Sequence, residues 1–376
     1  MNITDFMSEI QTLGVDYFTG VPDSQLKALC DHLMDRFGIC EQHVVAANEG
    51  AAVGLAAGHY LATGKPAMVY MQNSGIGNAV NPICSLLNDK VYAIPVLFVI
   101  GWRGEPGVHD EPQHVFQGEI TCKLLDCLDI AHVVLTPEST AEELKAAMGE
   151  AQKAFADGKC YAVVVKKGAL KNDKKMVYQN DCPLSREETV KLIISQAKND
   201  DIFVSTTGKL SRELFEAREA RGEGHEKDFL TVGSMGHSCM IALGIAQQKK
   251  ERRVFCLDGD GAALMHLGSL AVLGANQPKN FYHVVINNGA HETVGGVPTV
   301  ASKIDLPAAA KAFGYQHVFT ARTEQEILGA LSECKNLEGP VLIEIKTNLL
   351  SRADLGRPTT TPIQNKEAFM SFVEGK

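Results

Sequence analysis

Asp258-Gly259-Asp260-Gly261-Ala262 opens a stretch that closes with Tyr282-His283-Val284-Val285-Ile286-Asn287-Asn288-Gly289, and this stretch decides the fold. The apolar run Val254-Phe255-Cys256-Leu257 leads into two acids and two glycines. A helix-like segment follows, and then a second apolar run stops on Asn287-Asn288. The pattern is one βαβ unit with oxygen donors at the carboxyl ends of both strands, the edge where parallel sheets bind ligands. The Asp260 carboxylate, the Asn288 amide oxygen and the backbone carbonyl of Ala290 suit Mg²⁺, which takes a few hard protein ligands plus phosphate oxygens and water. Gly259 and Gly261, followed by Ala262, let the backbone approach a phosphate and offer N–H donors at a helix start.

Other chemistry fits the same residues. An EF-hand loop is excluded, because its twelfth position is Ser269 where a bidentate Glu is needed. An aspartate-based phosphohydrolase would use Asp258 as nucleophile, and an ordinary strand–turn would carry two solvated acids. A second motif is needed to choose.

That motif is His43-Val44-Val45-Ala46-Ala47-Asn48-Glu49-Gly50-Ala51-Ala52-Val53-Gly54-Leu55-Ala56-Ala57-Gly58. A short strand delivers Glu49 to the start of a helix whose Ala52, Ala56 and Ala57 permit close packing. By itself Glu49 also reads as a first-turn acid facing the positive end of the helix dipole, with Asn48 as the cap. An apolar setting would instead raise the Glu49 pKa and keep its proton available.

With both motifs in place, the chain resembles the decarboxylase branch of the thiamine diphosphate enzymes. The resemblance covers nearly the whole length. It includes Gly20-Val21-Pro22-Asp23-Ser24, Asn48-Glu49-Gly50, Gly104-Glu105-Pro106-Gly107 through Asp110-Glu111-Pro112-Gln113-His114, Thr206-Thr207-Gly208-Lys209, Gly233-Ser234-Met235-Gly236-His237, Gly259-Asp260-Gly261 and Asn287-Asn288-Gly289. It implies an α/β protein of two doubly wound parallel-sheet domains, pyrimidine-binding then diphosphate-binding, with no middle domain. It implies thiamine diphosphate and Mg²⁺ as cofactors. Glu49 would hydrogen-bond the aminopyrimidine N1′, and Met235 would wedge beneath the cofactor while the Gly233 carbonyl accepts from the 4′-amino group. Thr207, Ser234, Gly259, Asp260, Gly261, Ala262 and Asn288 complete the cofactor set, and Asp260, Asn288 and the Ala290 carbonyl the metal set. The family also implies a homo-oligomer, at least a dimer, with Glu49 of one protomer facing the metal motif of another.

The implied reaction is decarboxylation of a small anionic 2-keto acid bearing a phosphono group at C3, with the sulfo analogue as the alternative. Such a group needs a strongly cationic pocket, and Arg103, Lys209 and Arg212 are the candidates. Asp23, His109 and His114 are the candidates for delivering the proton that replaces CO₂. His109 and His114 lack a third partner at metal-ligand spacing.

Composition agrees. The formal net charge of −9 disfavours nucleic acid and anionic membrane as partners. No run approaches the roughly 20 apolar residues of a bilayer span, and Met1-Asn2-Ile3-Thr4-Asp5-Phe6 has no signal-peptide pattern. Ten scattered cysteines without a Cys-x-x-Cys pair read as reduced thiols, so a cytoplasmic location is expected.

Strand and helix patterns alternate throughout. Helix-like 141–156 leads to strand 160–165, and helix-like 324–334 leads to strand 340–345, a weak internal symmetry. The expected layout is a first domain over 1–170, a polar linker over 171–184 and a second domain over 185–376. Ser185-Arg186-Glu187-Glu188 reads as the capping box that opens it.

Overall fold

The computed structural model describes residues 1–375. The chain forms two compact units, Met1–Val177 with Val294–Val297, and Tyr178–Thr293 with Pro298–Lys376. In the first, strands β1 (Phe18–Gly20), β2 (His43–Val45), β3 (Ala67–Gln72), β4 (Val96–Gly101), β5 (Ala131–Leu135) and β6 (Tyr161–Val165) make one sheet. Its order is β2-β1-β3-β4-β6-β5 and every pairing is parallel.

The second unit carries β7 (Ile202–Ser205), β8 (Asp228–Leu230), β9 (Val254–Gly259) and β10 (Phe281–Asn287). Two short strands, β11 (Ala290–His291) and β12 (Val297–Pro298), precede β13 (His317–Ala321) and β14 (Val341–Lys346). The large sheet runs β13-β14-β10-β9-β7-β8, again all parallel. Counted from its own first strand, each sheet runs second, first, third, fourth, sixth, fifth. The two units therefore share one winding, which the repeated helix–strand ending only hinted at. In both, the chain changes direction across the sheet between the first and third strands, where doubly wound sheets open a ligand crevice.

The apolar runs are unbroken because both faces of each sheet are covered. Along β3, Met68 and Tyr70 join one buried cluster while Val69 and Met71 join the other. Along β9 and β10, Phe255, Leu257, Tyr282, Val284 and Ile286 face one side, and Val254, Cys256, Phe281 and Val285 the other. This period-two division is what a pleated strand imposes.

The helices expected over 141–156 and 324–334 are observed as Ala141–Ala156 and Glu324–Cys334, each opened by a complete capping box. Ser185 and Glu188 form the expected box before the helix Arg186–Ser195, an arrangement worth about 1 kcal/mol for the cap alone. The last strand of the second sheet begins at Val341 rather than Pro340, since proline has no N–H to give a ladder. The start of the expected linker is exposed but tied down through its backbone. Lys171 donates its N–H to the Met1 carbonyl at 3.0 Å and accepts from the Ile3 N–H at 2.8 Å, so it bridges to the N-terminus. Among the described residues, no helix is long and apolar enough to cross a membrane.

Candidate active site

In the first unit, Glu49 is the first residue of the helix Glu49–Thr63, capped by the Asn48 side chain on the Gly50 N–H at 2.7 Å. Ala52, Val53, Ala56 and Ala57 are buried and seat the helix. Glu49 itself is only 5% exposed. Burial raises its pKa, and an Asn78 amide donating to Oε2 at 2.7 Å partly offsets this. A Cβ on Gly75 would lie 2.6 Å from Glu49 Cγ and Oε1, so only glycine fits against this acid.

Asp23 follows β1 and is fully buried. Its carboxylate accepts from Gln72 Nε2 at 2.6 Å, at the end of β3, and from the Gln25 N–H at 2.9 Å. Burial nevertheless pushes its pKa up, with Arg103 among the opposing charges. Arg103 forks onto Asp110, Nε to Oδ2 at 2.8 Å and Nη2 to Oδ1 at 2.5 Å, and also reaches Ser24. Burial alone would raise Asp110, but the guanidinium and two backbone N–H donors outweigh it and hold the acid well below the usual range. His114 is buried at the start of the helix Pro112–Cys127. Burial first, and the Arg103 charge second, lower its pKa to about 4. Its Nδ1 has no partner among the described residues. His109 is exposed. The first unit thus gathers Asp23, Arg103 and His114 into one neighbourhood and leaves His109 at the surface.

In the second unit, the register places Ile286 beside Gly259, which sets Asn287 and Asn288 level with Asp260 at the carboxyl ends of β9 and β10. Asp260 starts the helix Asp260–Met265 and is 3% exposed. Burial pushes it up to about 6, against a hydrogen bond from Thr299 Oγ1 to Oδ2 at 2.5 Å. Two turns shape the neighbouring loop, in which Asn287 Oδ1 accepts from the Gly289 N–H at 2.9 Å and Asn288 Oδ1 from the Ala290 N–H at 3.0 Å.

The remaining cradle residues converge on the same edge. Thr207 Oγ1 donates to the Val232 carbonyl at 2.7 Å, tying its loop to the one carrying Gly233. Ser234 is left-handed at φ 50°, a conformation that costs a non-glycine residue about 1 kcal/mol or more and marks an over-determined loop. Met235 and His291 close on Gly261, where a Cβ would lie 3.4 Å from Met235 Cε and 3.2 Å from His291 Cε1. The second unit therefore brings Met235 and the Gly-Asp-Gly motif together.

The expected cations are all engaged. Lys209 Nζ donates to Glu292 Oε1 at 2.5 Å and to Ser351 Oγ at 2.7 Å. Arg186 binds the other Glu292 oxygen at 2.7 Å and forks onto Glu213, giving a network of two cations and two carboxylates. Arg212 donates to the carbonyls of Gly356, at 2.5 Å, and Leu355. Asp258 is 0% exposed and lies 3.3 Å from His283 Nε2. No phosphate ester can reach it, so it is not a phosphohydrolase nucleophile. Asn78, Thr299 and Glu292 were invisible to sequence reasoning, because each meets its partner through the fold and no local pattern pairs them.

Asp260 is a nearly fully buried carboxylate whose one side-chain hydrogen bond, among the described residues, comes from a neutral hydroxyl. Such a donor is poorly stabilised without a cation, and hard oxygen donors beside a glycine-lined helix start suit Mg²⁺ holding a diphosphate. A buried acid held by a neutral amide, as Glu49 is, suits proton exchange with a ring nitrogen. The residues present fit the cofactor and its metal.

Comparison with known proteins points to the same cofactor. Residues 1–126 match the thiamine pyrophosphate enzyme, N-terminal TPP binding domain, and residues 207–345 the corresponding C-terminal TPP binding domain. The chain belongs to the thiamine pyrophosphate (thiamine diphosphate) enzymes, in their decarboxylase branch. It is 33% identical to a phosphonopyruvate decarboxylase of Streptomyces viridochromogenes, over 98% of this chain and 94% of that one. It is 32% identical to the phosphonopyruvate decarboxylase of Streptomyces hygroscopicus, over 99% and 94%. A sulfopyruvate decarboxylase of Methanosarcina acetivorans is 26% identical over 96% and 94%.

Proposed function

We propose that this protein catalyses the thiamine diphosphate- and Mg²⁺-dependent decarboxylation of 3-phosphonopyruvate to 2-phosphonoacetaldehyde and CO₂, a step of phosphonate biosynthesis. The observation that carries the substrate is the full-length likeness to two phosphonopyruvate decarboxylases, which exceeds the likeness to the sulfopyruvate enzyme. Sulfopyruvate is the second reading, on the strength of that 26% relative.

The first unit is the pyrimidine-binding domain and the second the diphosphate-binding domain. Asp260, Asn288 and the Ala290 carbonyl hold the metal, and Thr207, Gly233, Ser234, Met235, Gly259, Gly261 and Ala262 line the cofactor. When bound, thiamine diphosphate supplies the carbon nucleophile and the electron sink for CO₂ loss, which no side chain can provide. Glu49 keeps a proton at the pyrimidine side of the cofactor, because burial without a cation disfavours its charged form. Asp23, whose pKa is also raised by burial, is better suited than His114 to deliver the final proton, since His114 is neutral down to about pH 4. Arg103, Lys209 and Arg212 remain the substrate cations of the proposal, and each would exchange or share its present partner with the phosphonate.

The working unit is a homo-oligomer, at least a dimer, with active sites between protomers. An open groove of about 750 Å³ beside the Glu49 helix supports this, its lining mostly small and apolar (Ala46, Ala51, Gly54, Leu55) with Glu41 and His59 among it. One assay tests the function: apoprotein with thiamine diphosphate, Mg²⁺ and phosphonopyruvate, sulfopyruvate or pyruvate, following CO₂. Preference for sulfopyruvate, or turnover without the cofactor, would displace the proposal.

A further inference from the structure

Thr299 makes three hydrogen bonds at the end of the β9–β10 pair. Its hydroxyl donates to Asp260 Oδ2 at 2.5 Å. Its backbone N–H donates to the Gly289 carbonyl at 2.8 Å, and its Oγ1 accepts from the Ala301 N–H at 3.3 Å. The residue is 6% exposed and lies 39 positions from Asp260. Gly289 sits between Asn288 and Ala290, so the N–H bond fixes the loop that carries two of the three metal donors, while the hydroxyl bond fixes the third.

We infer that Thr299 is the positioning residue of the divalent-cation site, setting the orientation of the Asp260 carboxylate and the height of the 288–290 loop with one side chain and its own backbone. The chemistry is specific. A carboxylate ligand can rotate and can offer either oxygen. A hydroxyl on Oδ2, added to the backbone N–H donors of Asp260 and Gly261, restricts that freedom and disfavours Oδ2 as the oxygen for the cation. The Ala301 N–H on Oγ1 in turn sets the direction in which the hydroxyl proton points, toward Asp260. Outer groups of this kind orient metal ligands, and their loss typically weakens metal affinity by about 10–100-fold. Thr299 belongs to neither motif that carries the metal donors. The role presupposes the divalent-cation site proposed above.

Thr299→Val keeps shape and backbone N–H but removes the hydroxyl, and Thr299→Ser restores it. Calorimetric titration of apoprotein with thiamine diphosphate at graded Mg²⁺ gives the apparent metal affinity without any turnover. The expected result is a loss of about 10–100-fold for Thr299→Val, with Thr299→Ser within a few-fold of wild type. Should the valine variant fail to fold, Thr299→Cys replaces it, since a thiol is a weak donor of similar size. Unchanged Mg²⁺ affinity in the valine or cysteine variant overturns the inference, as does a serine variant as weak as the valine one. If the wild type itself binds thiamine diphosphate equally well in chelator, the cation site fails instead.

Discussion

The Asn78 amide, on the helix Ile76–Pro82, donates to Glu49 Oε2 at 2.7 Å, and it is the one side chain bonded to that acid among the described residues. The bond favours the ionised carboxylate, while burial disfavours it more strongly. Removing the donor therefore raises the Glu49 pKa further. In Asn78→Ala, the pH dependence of C2-proton exchange on added thiamine diphosphate should move to higher pH. Movement to lower pH, or none, would show that Asn78 does not tune Glu49.

Glu49→Gln keeps the size of the side chain and can still hydrogen-bond, but it cannot pass a proton to and from a ring nitrogen. Cofactor binding should survive, because the proposed diphosphate and metal ligands lie among residues of the second unit. Exchange of the C2 proton should slow by at least ~100-fold, the scale of a lost acid–base group. Exchange at the wild-type rate would assign activation to another residue.

His114 makes a prediction about pH and stability. Its pKa is lowered to about 4 by burial and by the Arg103 charge, below the 6.5 of an unburied histidine. The folded state resists the proton, so the neutral ring's contribution is fully present above pH 6.5 and is lost as pH falls toward 4. The linked change is at most roughly 3 kcal/mol. His114→Gln should be less sensitive than wild type to acidification from pH 7.5 to 5, read as the shift in melting temperature. Equal shifts in both proteins would mean that His114 is not held neutral by the fold.

The fold was legible wherever local rules act. The capping box at Ser185 marked a helix start, and helix-like 141–156 and 324–334 were placed by pattern alone. Unbroken apolar runs marked strands buried on both faces, and Gly259-Asp260-Gly261 marked a strand end. What stayed hidden was the company each site residue keeps. Glu49 finds Asn78 29 positions away, and Lys209 finds Glu292 83 positions away. Such pairings follow from which loops the sheet brings to one edge, and no periodicity encodes them. Lys209 and Arg103 read in the sequence as candidate cations for an anionic substrate, and the carboxylate partner each has in the fold could not be seen there. Asp258 was weighed as a nucleophile, yet β9 is covered on both faces and buries it beside His283.

Lys209 is therefore the sharpest test of substrate choice. Burial alone would raise Glu292, but the Arg186 and Lys209 charges outweigh it and keep the carboxylate ionised. A phosphonate drawing on Lys209 has to compete with that carboxylate. Lys209→Ala should lower kcat/KM for phosphonopyruvate far more than for pyruvate, because a cation built for an anionic group does little for an uncharged one. Discrimination on charge of this sort exceeds the 10–200-fold of a methylene-sized difference, so the ratio should narrow by at least ~10-fold. Glu292→Gln removes the competitor and keeps a hydrogen-bond acceptor for Lys209, so it should widen the ratio instead. Measuring both variants beside Arg103→Ala and Arg212→Ala separates the cations from one another. If all four variants lower the two substrates in equal proportion, these residues hold the fold or the cofactor, and the phosphonate is recognised elsewhere.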